Sequence, residues 1–413
     1  MGRPLTFGEE QSVSQMDRRQ ALKLFAALGG TGLAAACSTD TGTVAADGGP
    51  VSDRSVRIGL LAPQTGGYKP IGDEIVKGFQ LFLALNEGRL GGHPVELVQA
   101  DEGETAQTGK AALDGLLKQN VLALTGVVDS SVMLGIRDAV EQAKVPLVGS
   151  NASPSTLQSV VYIWRTSYVN DEPGRAIAPY VAGKIPRGQK VAIIAPDGQS
   201  GRDAVAGFQR GFGAADPRIA GPVLWTEFST NPGKGAFSAK IEQLQDRDPD
   251  AIFCFYAGAA AVEFVKQLRG SGYRKTIYAP GFLTEGTVLN ELKPEEAEGI
   301  FTALNYSADL NNAANRRFAS AFRKAHGASP TTYAMASYDA AQVLNKAIRI
   351  AGTNPTPQQV NLALGNVGQI DSPRGPWQFN QPRTPQQKWY LRKVQRDGQL
   401  LSNVLINELA TLG

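Results

Sequence analysis

Side chains suited to chemistry are few in this 413-residue chain, which holds two cysteines and two histidines. That is too few for a multi-cysteine zinc site, and neither His93 nor His326 has an HxxxH or CxxC neighbour. His93 sits in Gly91-Gly92-His93-Pro94, a turn entering a strand, and His326 in Arg323-Lys324-Ala325-His326-Gly327, at a helix end. Both read as solvated surface histidines. Cys254, in the apolar run Ala251-Ile252-Phe253-Cys254-Phe255-Tyr256, reads as a small buried hydrophobe. Gly-x-Ser-x-Gly, Gly-x-x-x-x-Gly-Lys-Ser/Thr and His-Glu-x-x-His are absent. Nothing here asks for catalysis, a metal or a cofactor, so the expectation is a protein that is not an enzyme.

What remains is a set of polar loops. Gln64-Thr65-Gly66-Gly67-Tyr68, Val128-Asp129-Ser130-Ser131 and Ser150-Asn151-Ala152-Ser153-Pro154 lie in the first half of the chain. Asp197-Gly198-Gln199-Ser200-Gly201, Tyr256-Ala257-Gly258 and Pro280-Gly281-Phe282-Leu283-Thr284 lie further on. Several are rich in Ser, Thr, Asn and Gly just before a helix. Taken singly, such residues cap helices by accepting from free backbone N–H groups. The same geometry aims N–H groups and hydroxyls at an anion, so matching sets on two lobes predict a cleft for a small ligand. Tyr68, Tyr256 and Phe282 would wall it.

The elements that must position these loops alternate. Val56–Leu61 is strand-like, and Ile75, Val76, Phe79, Phe82 and Leu83 recur at helical spacing. Strand-like Val95–Val98, a helix over about 106–117, strand-like Val121–Leu124, a helix over about 131–142 and strand-like Pro146–Gly149 follow. The pattern restarts with strands at Val191–Ala195, Val223–Trp225, Ala251–Tyr256, Thr276–Tyr278 and Ile300–Leu304, separated by helices near 204–212, 237–244 and 260–268. Helices near 314–325, 333–350 and 358–364 come next, then strand-like Pro376–Phe379 and Lys388–Val394. Such alternation predicts α/β architecture with parallel sheets covered on both faces. The two sets suggest two lobes, and ligands in open parallel sheets sit beyond the carboxyl ends of the strands. No glycine fingerprint follows the first strand, so nicotinamide and flavin binding are not supported.

The N-terminus reads as an address. Met16-Asp17-Arg18-Arg19-Gln20-Ala21-Leu22-Lys23 precedes a small-residue apolar stretch, Leu24 to Ala36, and then Cys37. A basic start, a short apolar run and small residues before a cleavage point compose an export signal. Leu33-Ala34-Ala35-Ala36-Cys37 resembles a lipobox whose bulky residue is displaced by one, and the Arg18-Arg19 context resembles a twin-arginine signal. The expectation is an export signal over 1–36, lipidation at Cys37, a linker over 37–53, and an extracytoplasmic protein anchored to the cell membrane. Lys+Arg 41 against Asp+Glu 38 gives a net charge of +3 with no clustered basic run, which argues against nucleic acid.

From about Val56 onward the chain resembles the type I periplasmic solute-binding proteins of the branched-chain amino-acid class that serve ABC importers. The resemblance is carried by Ile58-Gly59-Leu60-Leu61-Ala62-Pro63-Gln64-Thr65-Gly66 with Gly72-Asp73-Glu74, and by Leu90-Gly91-Gly92-His93-Pro94-Val95-Glu96. Asn151-Ala152-Ser153-Pro154, Trp164-Arg165-Thr166 and Tyr338-Asp339-Ala340-Ala341 complete it, in that order. It implies two Rossmann-like lobes joined by three hinge crossovers, lobe one being 54–170 with 305–365 and lobe two 171–304 with 366–413. It also implies a monomer that closes on a small-molecule solute and delivers it to an ABC permease. By the same resemblance a ligand carboxylate is held by Ser130 and by backbone N–H groups of Ser150-Asn151-Ala152, with Ser131 beside them. Ser200 stands where an aromatic residue is common. The acid expected to hold an ammonium falls near Gly281 or Phe282, neither acidic, with Asp129 or Glu285 as substitutes; the ligand is then an amino acid, or a small carboxylic acid, aromatic or not, or an amide. Two rival readings are a lipoprotein that regulates cell-wall synthesis by binding a penicillin-binding protein, and a sensor that presents ligand to a receptor.

Overall fold

The computed structural model describes residues 52–398 and 400–413, which contain two sheets. Cys37 and the export and linker segments lie outside the described residues, apart from the last two linker positions. The first sheet contains β1 (Val56–Ala62), β2 (Arg89–Leu90), β3 (His93–Asp101), β4 (Ala123–Gly126), β5 (Leu147–Gly149) and β6 (Ile163–Arg165), in the order β2-β3-β1-β4-β5-β6. All its pairings are parallel except β2 with β3. The second contains β7 (Val191–Pro196), β8 (Leu224–Thr226), β9 (Ala251–Cys254), β10 (Thr276–Pro280), β11 (Phe301–Leu304), β12 (Gln387–Asp397) and β13 (Leu400–Leu412). Its order is β13-β12-β11-β10-β9-β7-β8, parallel except for the antiparallel β11-β12-β13 edge.

Burial on both faces explains the apolar runs. Along β7, Val191, Ile193 and Ala195 join one core cluster while Ala192 and Ile194 join another, the period of two that a pleated strand dictates. In the first sheet Ile58, Leu60 and Ala62 pack on the side of α1 (Lys69–Leu85) and α10 (Thr332–Ala351). Leu61 and Leu124 pack on the side of α2 (Ala106–Leu117) and α3 (Ser130–Ala143). The second sheet is covered by α4 (Glu172–Lys184) and α5 (Gln199–Phe212) on one face and by α6 (Ser238–Asp246) and α7 (Gly258–Gly270) on the other. Helices α4 and α5 approach so closely that a Cβ on Gly207 would stand 2.0 Å from the Asp171 carbonyl oxygen.

The chain passes between the sheets three times: from β6 to α4, from β11 to the helices α9 (Ala313–His326), α10 and α11 (Pro357–Leu364), and back to β12. A short α8 (Pro294–Ala297) precedes β11. The three passages are knotted by hydrogen bonds. Asn305 donates from Nδ2 to the Ser167 carbonyl (3.1 Å) and to Gln387 Oε1 (2.9 Å), and Gln387 Nε2 donates to the same Ser167 carbonyl (2.8 Å). The buried Arg374 donates to it too (2.9 Å) while pairing with Asp339 at 2.7 Å.

Several sequence expectations are corrected. His93 is 1% exposed, not solvated: Nδ1 lies 3.0 Å from the Arg54 carbonyl and Nε2 3.3 Å from that of Gly352. His326 is half-buried against the Phe322 ring at 4.6 Å, and burial lowers its pKa. Pro376–Phe379 forms two isolated bridges, Ile370 to Trp377 and Phe379 to Pro385, rather than a strand. The helix expected from Ala204 begins at Gln199, which puts Ser200 in its first turn. Strand β9 ends at Cys254, so Phe255 and Tyr256 belong to the following loop. Cys254 is buried, and desolvation raises its pKa.

Candidate functional site

In each sheet the chain leaves a central strand first to one side and then to the other: β3 and β4 flank β1, and β8 and β9 flank β7. Crevices open at such reversals, beyond the strand ends. A cavity lies where the two reversals meet. It is lined by Tyr68, Ile71, Val128, Asp129, Ser130, Asn151, Ala152, Tyr168 and Asn170 from the first sheet's loops and the first passage. Ser200, Phe255, Ala257 and Phe282 line it from the second sheet's loops, and Tyr333 from the first turn of α10. About 40 Å³ is open to the centres of water molecules; one water needs roughly 10–15 Å³ by that measure, so the space suits a small organic molecule.

Seven residues expected from the sequence therefore share one cavity: Tyr68, Asp129, Ser130, Asn151, Ala152, Ser200 and Phe282. Ser131, Ser150 and Tyr256 do not line it. Ser131 is capped by Asp129, its N–H donating 2.7 Å to Asp129 Oδ1. Ser150 lies behind the wall, its Oγ buried without a partner among the described residues and its N–H donated to the Gly126 carbonyl at 2.9 Å. Tyr256 points into the opposite core cluster, stacked on Phe264 at 4.1 Å with its hydroxyl 3.1 Å from Thr226 Oγ1. Its neighbour Phe255 faces the cavity instead, as the alternation of side chains along an extended segment requires. Glu285 is also engaged elsewhere, paired with Arg392 at 2.8 Å and accepting from the Thr332 N–H. Tyr168, Asn170 and Tyr333 were not foreseen; they enter from passages and a helix start that carry no loop signal of their own.

The aromatic wall is continuous. Phe282 lies 5.2 Å from Tyr168, 6.1 Å from Phe255 and 6.1 Å from Tyr333, centroid to centroid. Opposite, the loop after β4 is held by a fully buried carboxylate: Glu102 accepts from the N–H of Val128 (2.9 Å) and of Asp129 (2.9 Å). Burial pushes Glu102 well above the usual carboxylate range. That loop is strained, since Val127, a β-branched residue, has φ +67°. Tyr168 donates from its hydroxyl to Asn151 Oδ1 (3.3 Å), and Asn170 Nδ2 donates to Ser130 Oγ (3.0 Å).

The two sides of the cavity also touch at its rim. Thr230 donates to Glu104 Oε1 (2.5 Å), which also accepts from the Gly67 N–H (2.7 Å). Ser155 donates from its N–H to Asp203 Oδ2 on α5 (3.0 Å). A Cβ on Gly67 would meet the Thr230 carbonyl oxygen at 2.1 Å, so glycine lets the two backbones close together.

The family model of the periplasmic binding proteins matches residues 55–399. The chain belongs to the periplasmic binding protein family. Members are binding proteins rather than enzymes: they hold small solutes outside the cytoplasm and serve ABC importers. A curated relative, Leu/Ile/Val-binding protein homolog 6 of Brucella melitensis, is 26% identical over 82% of this chain and 87% of its own. Among solved structures, the solute-binding protein of an ABC transporter from R. palustris in complex with benzoate is 26% identical, covers 86% of this chain and 97% of its own, and has a TM-score of 0.78. One from Rhodopseudomonas palustris HaA2 in complex with p-hydroxybenzoic acid is 25% identical, with 87% and 98% covered and a TM-score of 0.78. A leucine-binding protein from Thermotoga maritima, 20% identical with 84% and 99% covered and a TM-score of 0.75, shares the fold. This periplasmic binding protein thus has the two-sheet, three-passage architecture that the sequence motifs imply. No described helix is long and apolar enough to cross a membrane.

Proposed function

We propose that this protein captures a small aromatic carboxylic acid of the benzoate class between its lobes and delivers it to an ABC permease. The observation that carries the reading is the lining of the cavity: five aromatic side chains, Tyr68, Tyr168, Phe255, Phe282 and Tyr333, with hydroxyl and amide groups and, among the described residues, no lysine or arginine. Aromatic walls with a few placed polar groups suit a flat ring better than a branched aliphatic chain. No acid stands at Gly281 or Phe282 and Glu285 is committed to Arg392, which leaves Asp129 as the one carboxylate, among the described residues, in the lining. Similarity to proteins solved with benzoate and p-hydroxybenzoic acid supports the same class. The regulator and sensor readings draw no such support.

In this reading the lobes are 54–170 with 305–365 and 171–304 with 366–413. The chain is an exported monomer held to the membrane by a lipid at Cys37. A thermal-shift comparison of the full chain with benzoate, 4-hydroxybenzoate, leucine and isoleucine tests the ligand class. A ligand at 100 times its dissociation constant stabilises by about 2.7 kcal/mol. The aromatic acids should raise the melting midpoint and the amino acids should not; a shift with leucine alone would overturn the assignment.

A further inference from the structure

At the ends of the first sheet's strands, the N–H groups of Ser130 and Asn151 and the Ser130 hydroxyl face the cavity with no acceptor among the described residues. The family resemblance implies a ligand carboxylate against them. Backbone N–H groups are donors by nature, but a serine hydroxyl is a rotor that donates or accepts according to its surroundings. What lies on the other side of Ser130 Oγ therefore decides whether it serves an anion.

Asn170 Nδ2 lies there. It donates to Ser130 Oγ (3.0 Å) and to Asp203 Oδ2 on α5 (3.2 Å), while Asn170 Oδ1 accepts from the Ser153 N–H (3.3 Å). A reversed amide would set its NH2 against an N–H and its oxygen against a carboxylate, so the amide has one orientation. Ser130 Oγ thus receives a hydrogen, and its own O–H is left for the cavity. Asp203 is buried without an ion pair among the described residues. Its oxygens are held by Gln199 Nε2 (3.0 Å), by the Ser155 N–H (3.0 Å) and by the Ser155 hydroxyl. A Cβ on Gly174 would stand 2.3 Å from the Ala204 carbonyl oxygen; with the Gly207 contact, this close packing keeps Asp203 against the start of α4, beside Asn170.

We propose that Asn170 and Asp203 are positioning residues for solute binding: Asp203 orients the Asn170 amide, and Asn170 commits the Ser130 hydroxyl to donate into the cavity. This rests on the carboxylic-acid reading above. The wall at Ser130 then offers hydrogens only, so it selects a carboxylate over a carboxamide, whose NH2 would face a donor. The action of Asp203 runs against its charge. A carboxylate two hydrogen bonds from the anion's place repels it, yet through the amide the same carboxylate favours it.

A double-mutant cycle read by calorimetric titration of the full chain with 4-hydroxybenzoate, and with leucine in parallel, tests this. Ser130→Ala should weaken 4-hydroxybenzoate by about thirtyfold, the loss of one bond to a charged group. Asn170→Ala should weaken it about fivefold in the wild type, but less than about twofold where Ser130 is already alanine, because it acts through that hydroxyl. Asp203→Asn should weaken it about threefold, and not at all in the Ser130→Ala background, whereas loss of the charge alone would tighten it. An equal loss from Asn170→Ala in both backgrounds would overturn the positioning role, since a packing defect or a direct contact weakens both alike. Unchanged or tighter binding by Asp203→Asn would overturn its part. If Asn170→Ala fails to fold, as its melting curve would show, the Asp203→Asn arm of the cycle decides. Binding of leucine in place of 4-hydroxybenzoate would refute the aromatic-acid reading alone, and the same cycle is then read on leucine's carboxylate; a wild type that binds neither would overturn both.

Discussion

Tyr333 shows how a single side chain can be set aside for a ligand. It is 3% exposed, stacks at 28° on Phe282, and its hydroxyl makes no hydrogen bond to a described residue. A hydroxyl that lines the cavity and has no partner among the described residues is left for a ligand or water to satisfy. Tyr333→Phe should therefore leave the melting midpoint of the free protein unchanged or slightly raised, while weakening 4-hydroxybenzoate by about 1 kcal/mol, roughly fivefold, in a calorimetric titration. An unchanged affinity would mean that the hydroxyl plays no part. The residues of the site were partly legible beforehand because polar turn chemistry marks the ends of parallel strands: Asp129, Ser130, Asn151 and Ser200 could be read that way. Tyr256 could not be told from Phe255, since the choice depends on where β9 ends and on which face the next residue then takes.

At the scale of elements, the first passage carries a titrating group. Glu172 opens α4, is 1% exposed, and burial raises its pKa to about 7, with the neighbouring Asp171 adding to the shift and the Val169 N–H opposing it. Its pKa in the fold lies above the unfolded value, so the folded state holds the proton more tightly. The stabilisation is present in full below about pH 4.5 and is lost as pH rises toward about 7, amounting to about 3 kcal/mol. Urea unfolding between pH 4.5 and 7.5 should show stability falling over that window, and Glu172→Gln should flatten the fall; an equal slope in both proteins would exclude Glu172 as its source. The helix carrying this group left little trace in the sequence, because Pro173 and Pro179 interrupt its pattern. Strand β13 is half-exposed along its length and lacks the apolar run that made β7 and β9 readable. The parallel core strands, buried on both faces, were the elements that composition and periodicity could find.

For the whole molecule, two sheets with their chain reversals facing each other place the cavity, and three hydrogen-bonded passages join the two sides. The proposed export and anchoring carry a prediction for the intact chain. Cys37→Ser should shift the protein from the membrane fraction to the soluble extracytoplasmic fraction; persistent membrane association would contradict lipidation at that cysteine. The central claim, that a flat aromatic acid is the cargo, is tested most directly by calorimetric titration of the full chain with 4-hydroxybenzoate against leucine. One saturable site for 4-hydroxybenzoate, with a negative heat-capacity change from burial of its ring and no heat from leucine, is the predicted result. Saturable binding of leucine with none of 4-hydroxybenzoate would contradict it.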